Sequence, residues 1–159
     1  MRDVLEIGYV FYTFFPAYFT NAIPVLFGKG TPLDFHYNFI DGRPILGRNK
    51  TIRGTFLGLI GGTLVGLIQN RFLLGFLLSL GAILGDLFAA FIKRRLRLDP
   101  GASLPIVDQL DFVAGALLFS YPLSPFDIKS VFYIAIATPF IHLLTNMIAY
   151  TLKLKDVPY

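Results

Sequence analysis

The chain has 159 residues, of which 55% are hydrophobic and 15% charged, with a formal net charge of +4 and a mean hydropathy of +0.65. An ordinary soluble domain carries roughly 45–50% apolar and about 25% charged residues, so the composition points to an integral membrane protein instead. There is no cysteine, and His36 and His142 are the two histidines. This excludes disulfides, iron–sulfur centres, thiolate zinc and imidazole-rich metal sites, and leaves a hard cation such as magnesium as the expected metal.

A segment of roughly 20 apolar residues crosses a bilayer. Span 1 covers about Val4 to Phe27, with Pro16 and Pro24 as tolerated kinks. It lacks a basic n-region and ends in Phe27-Gly28-Lys29, so it reads as a permanent span and not as a signal peptide. Residues 28 to 54 are rich in proline, glycine and charge and form a first polar loop. Span 2, about Thr55 to Gln69, carries Gly54, Gly58, Gly62 and Gly66, a stripe of bare backbone that lets another helix approach closely. Asn70-Arg71 is a tight turn. Span 3 runs from Phe72 to about Ile92 and is expected to continue through the basic cluster Lys93-Arg94-Arg95 toward Arg97. Residues 98 to 107 form a second polar loop. Span 4 is short, about Leu110 to Tyr121, with Asp108 at its extended start. Span 5 runs from about Ser130 to Leu152, with Pro139 as a kink.

Five spans place the termini on opposite sides, and the positive-inside rule selects the orientation. With the N-terminus outside, Lys29, Arg43, Arg48, Lys50, Arg53, Lys93, Arg94, Arg95, Arg97, Lys153 and Lys155 are cytoplasmic, while Arg2, Arg71 and Lys129 are outside. That is eleven against three of the 14 Lys and Arg. The positive charge is therefore mostly topological and does not call for nucleic acid. The expected fold is an all-α integral membrane protein, a single domain over residues 1–159. About five transmembrane helices, a cytoplasmic C-terminus and two long cytoplasmic loops are expected, with a site facing the cytoplasm.

Asp86 interrupts the apolar run of span 3. Lys93 follows about 10 Å further along a helix, and positions seven and eleven apart nearly eclipse, so Asp86, Lys93 and Arg97 share a face if the helix continues. A carboxylate at that depth costs roughly 3 kcal/mol on insertion scales and needs a partner. Asp108 and Asp111, three apart, share a helix face at the start of span 4. Each feature has a plain structural reading: a salt bridge for Asp86, a cap for Asp108, a stop signal or anionic-lipid contact for the cations. Together they say more. Asp86, Asp108 and Asp111 converging near one surface would make a magnesium site, and Lys93, Arg94, Arg95 and Arg97 would hold phosphate oxygens. In "GRNKTIRG", residues 47 to 54, Lys50 and Arg53 are cations, and Asn49 and Thr51 can hydrogen-bond a base, ribose or phosphate. No Walker-type loop is present. His142 and Asn146, four apart, are expected to bond a neighbouring helix; Asp34, His36 and Asp41 could bind a metal, but at this spacing in a loop they are expected to be ordinary surface residues.

"GDLFAAFIKR" at 85 to 94, "LDPGASLP" at 98 to 105 and "DQLD" at 108 to 111 resemble the signature of phosphatidate cytidylyltransferases. The small size and the "GRNKTIRG" loop are more similar to a family of archaeal enzymes, the CDP-archaeol synthases. The resemblance runs from about Asn21 onward. It departs from the bacterial and eukaryotic pattern at Ala90, where a serine is usual, at Leu98, where a lysine precedes the acid, and at Gln109, where an arginine is usual; the H-G-G triplet before Asp108 is absent. The resemblance implies CTP, magnesium and an isoprenoid ether-linked glycerol phosphate as reactants, with a homodimer as a compatible assembly. It implies that Asp86, Asp108 and Asp111 hold the metal, that Lys93 and Arg94 lie near phosphate, and that Gln109 stands by the nucleotide. The main rival is a small transporter or channel subunit that uses Asp86 in an ion or proton path. A non-catalytic lipid-binding subunit is a further one, whereas the D-G-x-x-A-R motif of CDP-alcohol phosphotransferases is not found.

Overall fold

Five helices follow one another in the computed structural model, which describes residues 2–151 apart from Ser103 and Pro105: α1 (Arg2–Phe27), α2 (Ile52–Ile68), α3 (Phe72–Arg95), α4 (Val107–Ser120) and α5 (Ile128–Thr151). Leu152, Lys153 and Lys155 lie outside the described residues. Three helices are long and apolar enough to cross a membrane, over Asp3–Phe27, Phe72–Arg95 and Ile128–Ile148. The other two, α2 with 17 residues and α4 with 14, are shorter.

Small polar residues share the interior with apolar ones, and large apolar side chains cover the outside. Thr13, Thr20, Ser79, Ser120 and Thr138 are buried, while Phe56, Phe132, Phe140 and Leu118 are exposed. Lipid is as apolar as leucine, so such helices associate by close packing of small residues and by hydrogen bonds. The glycine stripe shows how. Gly54, Gly58, Gly62 and Gly66 are all buried. A methyl group on Gly58 would sit 2.9 Å from the Thr20 carbonyl oxygen of α1, and one on Gly66 would overlap Gly75 of α3. The stripe thus wedges α2 between α1 and α3. Gly81 and Gly85 of α3 meet Gly115 and the Asp111 backbone of α4 with the same closeness. Aliphatic and aromatic packing of Phe14, Leu78, Ala82, Phe112, Val113 and Ile134 fills the centre.

Helix ends follow local chemistry. Thr51 caps α2: its hydroxyl accepts from Gly54 N at 3.1 Å and donates to Gly28 O at 2.7 Å. α3 continues through the basic cluster but stops at Arg95, short of Arg97. Arg97 N donates to Arg94 O and Leu98 N to Lys93 O, with Arg97 at φ 66°. These two bonds around a left-handed residue form a Schellman closure, and Pro100 prevents resumption of the helix. The expected sharing of one helical face by Asp86, Lys93 and Arg97 therefore holds for the first two only. Arg97 is exposed in the turn beyond.

Candidate active site

The loop between α1 and α2 folds back on itself. Leu33 N bonds Lys50 O, Ile52 N bonds Thr31 O, and Phe39 and Arg43 pair across a narrow turn. At its centre lies Asp34, 7% exposed. Its carboxylate accepts from Leu46 N at 2.9 Å, Gly47 N at 2.8 Å and His36 N at 3.1 Å. Burial pushes the Asp34 carboxyl up, but the three backbone donors outweigh it and hold it below its ordinary 3.8. Asp34 is therefore no ordinary surface residue. The cue for it in the sequence is an Asx turn, an Asp whose side chain bonds the amide two residues on.

The loop is fastened to α3 by Arg95. That guanidinium pairs with Asp41 at 2.9 Å, donates to Pro44 O at 2.6 Å, and lies within 5 Å of the ring centres of both Phe39 and Phe91 (4.8 and 4.7 Å). Thr51 is committed to its cap. So two residues expected at the nucleotide, Arg95 and Thr51, hold the loop's own structure here.

Held this way, the loop delivers Lys50 to Asp86. Lys50 Nζ lies 2.6 Å from each carboxylate oxygen. The acid within the apolar run of α3 has found its partner 36 residues away. About two turns further along the same side of α3, Lys93 Nζ reaches Asp108 Oδ1 at 2.8 Å and Ala102 O at 3.2 Å. The other oxygen of Asp108 accepts from Leu104 N at 2.9 Å, so Asp108 ties the α3–α4 loop to the start of α4 rather than capping the helix. Asp111, one turn into α4, accepts from Phe112 N at 2.6 Å and lies within electrostatic reach of Asp86, Lys50 and Asp108. The contact of Gly85 with the Asp111 backbone brings α3 and α4 close enough for this.

Arg94 is 3% exposed, with Gly47 and Asp99 beside it. Among the described residues, its Nε and Nη1 have no hydrogen-bond partner. Leaving buried guanidinium donors unmatched costs a few kcal/mol, and an anion could match them. Of the remaining candidates, Asn49 is exposed with its amide facing Gly101, Arg53 is exposed on the first turn of α2, and Gln109 is half-buried beside Asp108. His142 and Asn146 bond within α5, Asn146 Nδ2 lying 3.1 Å from His142 Nδ1.

Three carboxylates suit a hard divalent ion in chemistry and charge. The expected convergence, however, is not the arrangement found. Among the described residues no three acids or histidines are gathered to hold a metal, and the carboxylates of Asp86 and Asp108 each face a lysine.

A mostly apolar cavity of about 610 Å³ opens between α1 and α5, with Phe112 of α4 also in its lining. Phe15, Phe19, Val25, Leu26 and Ile141 wall it, and the Tyr18 hydroxyl bonds Thr138 Oγ1 at 2.8 Å at its side.

Known proteins resemble this chain over nearly its whole length. The family model described as CarS-like, CDP-archaeol synthase, matches residues 3–72 and 67–159. The CDP-archaeol synthase of Methanocaldococcus jannaschii is 45% identical, over 89% of this chain and 91% of the relative. That of Pyrococcus furiosus is 44% identical over the whole of both chains. A solved structure, of an intramembrane enzyme for archaeal membrane lipid biosynthesis, superposes with a TM-score of 0.76 at 34% identity, covering 86% of this chain and 92% of that one. With acids and cations set at the ends of apolar helices and with these relatives, the chain belongs to the CDP-archaeol synthase family.

Proposed function

We propose that the protein transfers CMP from CTP to an isoprenoid ether-linked glycerol phosphate, in a magnesium-dependent reaction that releases pyrophosphate. The enzyme class, a CTP-dependent cytidylyltransferase, comes with the family. The observation that carries the assignment to this site is buried Arg94 with its unmatched donors, set beside two lysine–carboxylate pairs. A triphosphate needs several cations at once, and here Arg94, Lys93 and Lys50 stand together with Arg53 nearby. The lipid phosphate attacks the α-phosphorus, a new P–O bond forms, and the α–β bond breaks with the electrons leaving on pyrophosphate. A phosphomonoester is largely ionised at pH 7, so no general base is required and no poised histidine is missing. Positioning and charge neutralisation supply the rate. Asp86, Asp108 and Asp111 are the residues that would hold magnesium, which when bound neutralises phosphate charge. In this reading Asn49 and Gln109 meet the nucleotide, and the α1–α5 groove takes an isoprenoid tail.

Five spans with the N-terminus outside put the α1–α2 and α3–α4 loops, and this site, at the cytoplasmic face. The transporter reading needs a path from Asp86 to the other end of the bundle. Leu78, Ser79, Ala82 and Phe14, all essentially buried, fill that direction.

The test uses the full chain in detergent with CTP, magnesium and a panel of isoprenoid glycerol phosphates, reading pyrophosphate release. Release should depend on the lipid, and Asp86→Asn should abolish it while the circular dichroism spectrum stays that of wild type. No release with any lipid from folded protein would sink the transferase reading.

A further inference from the structure

We infer that Lys50 and Lys93 are stand-in cations: they hold Asp86 and Asp108 in the nucleotide-free protein, and the divalent ion enters with the CTP phosphates, not before them. This inference rests on the nucleotidyl transfer proposed above. Lys50 Nζ is equidistant, at 2.6 Å, from both oxygens of Asp86. An ammonium centred on a carboxylate fills the place of a chelated ion. Both pairs are drawn well out of water, with side-chain exposures of 27% and 29% for Lys50 and Asp86, and 15% and 22% for Lys93 and Asp108.

A bare ion would have to displace an ammonium from each carboxylate. It would then find too few protein oxygens, since no three acids are gathered among the described residues. Magnesium gives up its water reluctantly and prefers one or two carboxylates plus phosphate oxygens. The arrival of a triphosphate changes the balance. Each lysine exchanges a carboxylate for a phosphate oxygen, and each carboxylate exchanges an ammonium for the ion the phosphates already carry. Every charged group keeps a partner of opposite charge, and no carboxylate is left bare. Lys50 is the mobile partner of the two. It rides on a loop, whereas Lys93 sits on the last turn of α3 and is also bonded to Ala102 O.

The coupling between ion and nucleotide is reciprocal, so it can be read without turnover. Manganese binding is measured by equilibrium dialysis of the full chain in detergent, with and without CTP and without lipid, so that ion held by CTP alone counts as unbound. Wild type should bind manganese at least about tenfold more tightly with CTP than without it. Lys50→Met should tighten binding of manganese alone and shrink the effect of CTP. Lys50→Arg, which keeps the charge, should leave manganese alone weakly bound. If Lys50→Met does not fold, Lys50→Gln and Lys93→Met carry the same expectation. Equal manganese affinity with and without CTP in wild type, or an unchanged affinity for manganese alone in the folded neutral variants, overturns the inference. Turnover of wild type, followed in parallel, separates the two ideas: turnover with CTP-independent manganese binding sinks the stand-in role and leaves the transferase standing.

Discussion

Asp34 illustrates how much a single buried carboxylate can organise. It touches no charged partner of the site, yet its three backbone bonds shape the turn from which Lys50 projects. Asp34→Ala leaves three amide donors unmatched, a cost of about 1–3 kcal/mol. Trypsin should then cut at Arg48 faster than in wild type, and KM for CTP should rise more than kcat falls, because Lys50 is misplaced while Asp86 remains. The pH dependence has a definite sign. The folded carboxyl lies below 3.8, so its contribution is fully present above that value and is lost as pH falls through the folded value. The gap in thermal stability between wild type and Asp34→Ala should be constant near neutrality and close only in acid below about pH 4. In the sequence Asp34 reads as an ordinary loop residue, because the Asx-turn pattern in "TPLDFHYNF" does not tell a buried aspartate from a solvated one. Burial here is decided by where residues 46 and 47 return.

The helices themselves were more legible. Hydropathy located all five, and glycine spacing correctly marked a face for close approach. Two things escaped. The end of α3 lies in a Schellman closure built on Arg97, a non-glycine residue in a place where glycine is usual, so no pattern announced it. The Lys50–Asp86 pair joins segments 36 residues apart through a loop without periodicity. The contact between α3 and α4 matters most for the chemistry. Gly81 and Gly85 on one side and Gly115 on the other let backbone touch backbone, and the Asp86-to-Asp111 spacing depends on it. Gly115→Leu must push the two helices apart. Overpacking of this kind costs about 1–3 kcal/mol. A lowered melting temperature in detergent is expected, together with a loss of turnover larger than that of an equally destabilising change such as Leu78→Ala. Equal losses would mean that the helix spacing is not what the site requires.

For the molecule as a whole, charge is strongly polarised. Lys29, Arg43, Arg48, Lys50, Arg53, Lys93, Arg94, Arg95 and Arg97 gather on the loops and helix ends around the site, while Arg71 and Lys129 mark the opposite end, bonded to Tyr9 and Glu6 of α1. The absence of cysteine makes the orientation directly measurable. A single cysteine at Ile40, 94% exposed in the first loop, should react with a membrane-impermeant maleimide only after cells are opened. One at Tyr121, 66% exposed at the other end, should react from outside intact cells. The reverse pattern would overturn the orientation.

The groove between α1 and α5 has its own consequence. Phe15, Val25, Leu26 and Ile148 line it and are also exposed on the flank of the bundle, so it opens sideways. In the transfer proposed above, pyrophosphate departs upward into water, and the lipid departs in the plane of the bilayer. The two products leave in perpendicular directions and do not queue for one door. A reactant tail can slide in while the inorganic product is still diffusing away, and the next consumer of the activated lipid can collect it without any passage through the aqueous phase.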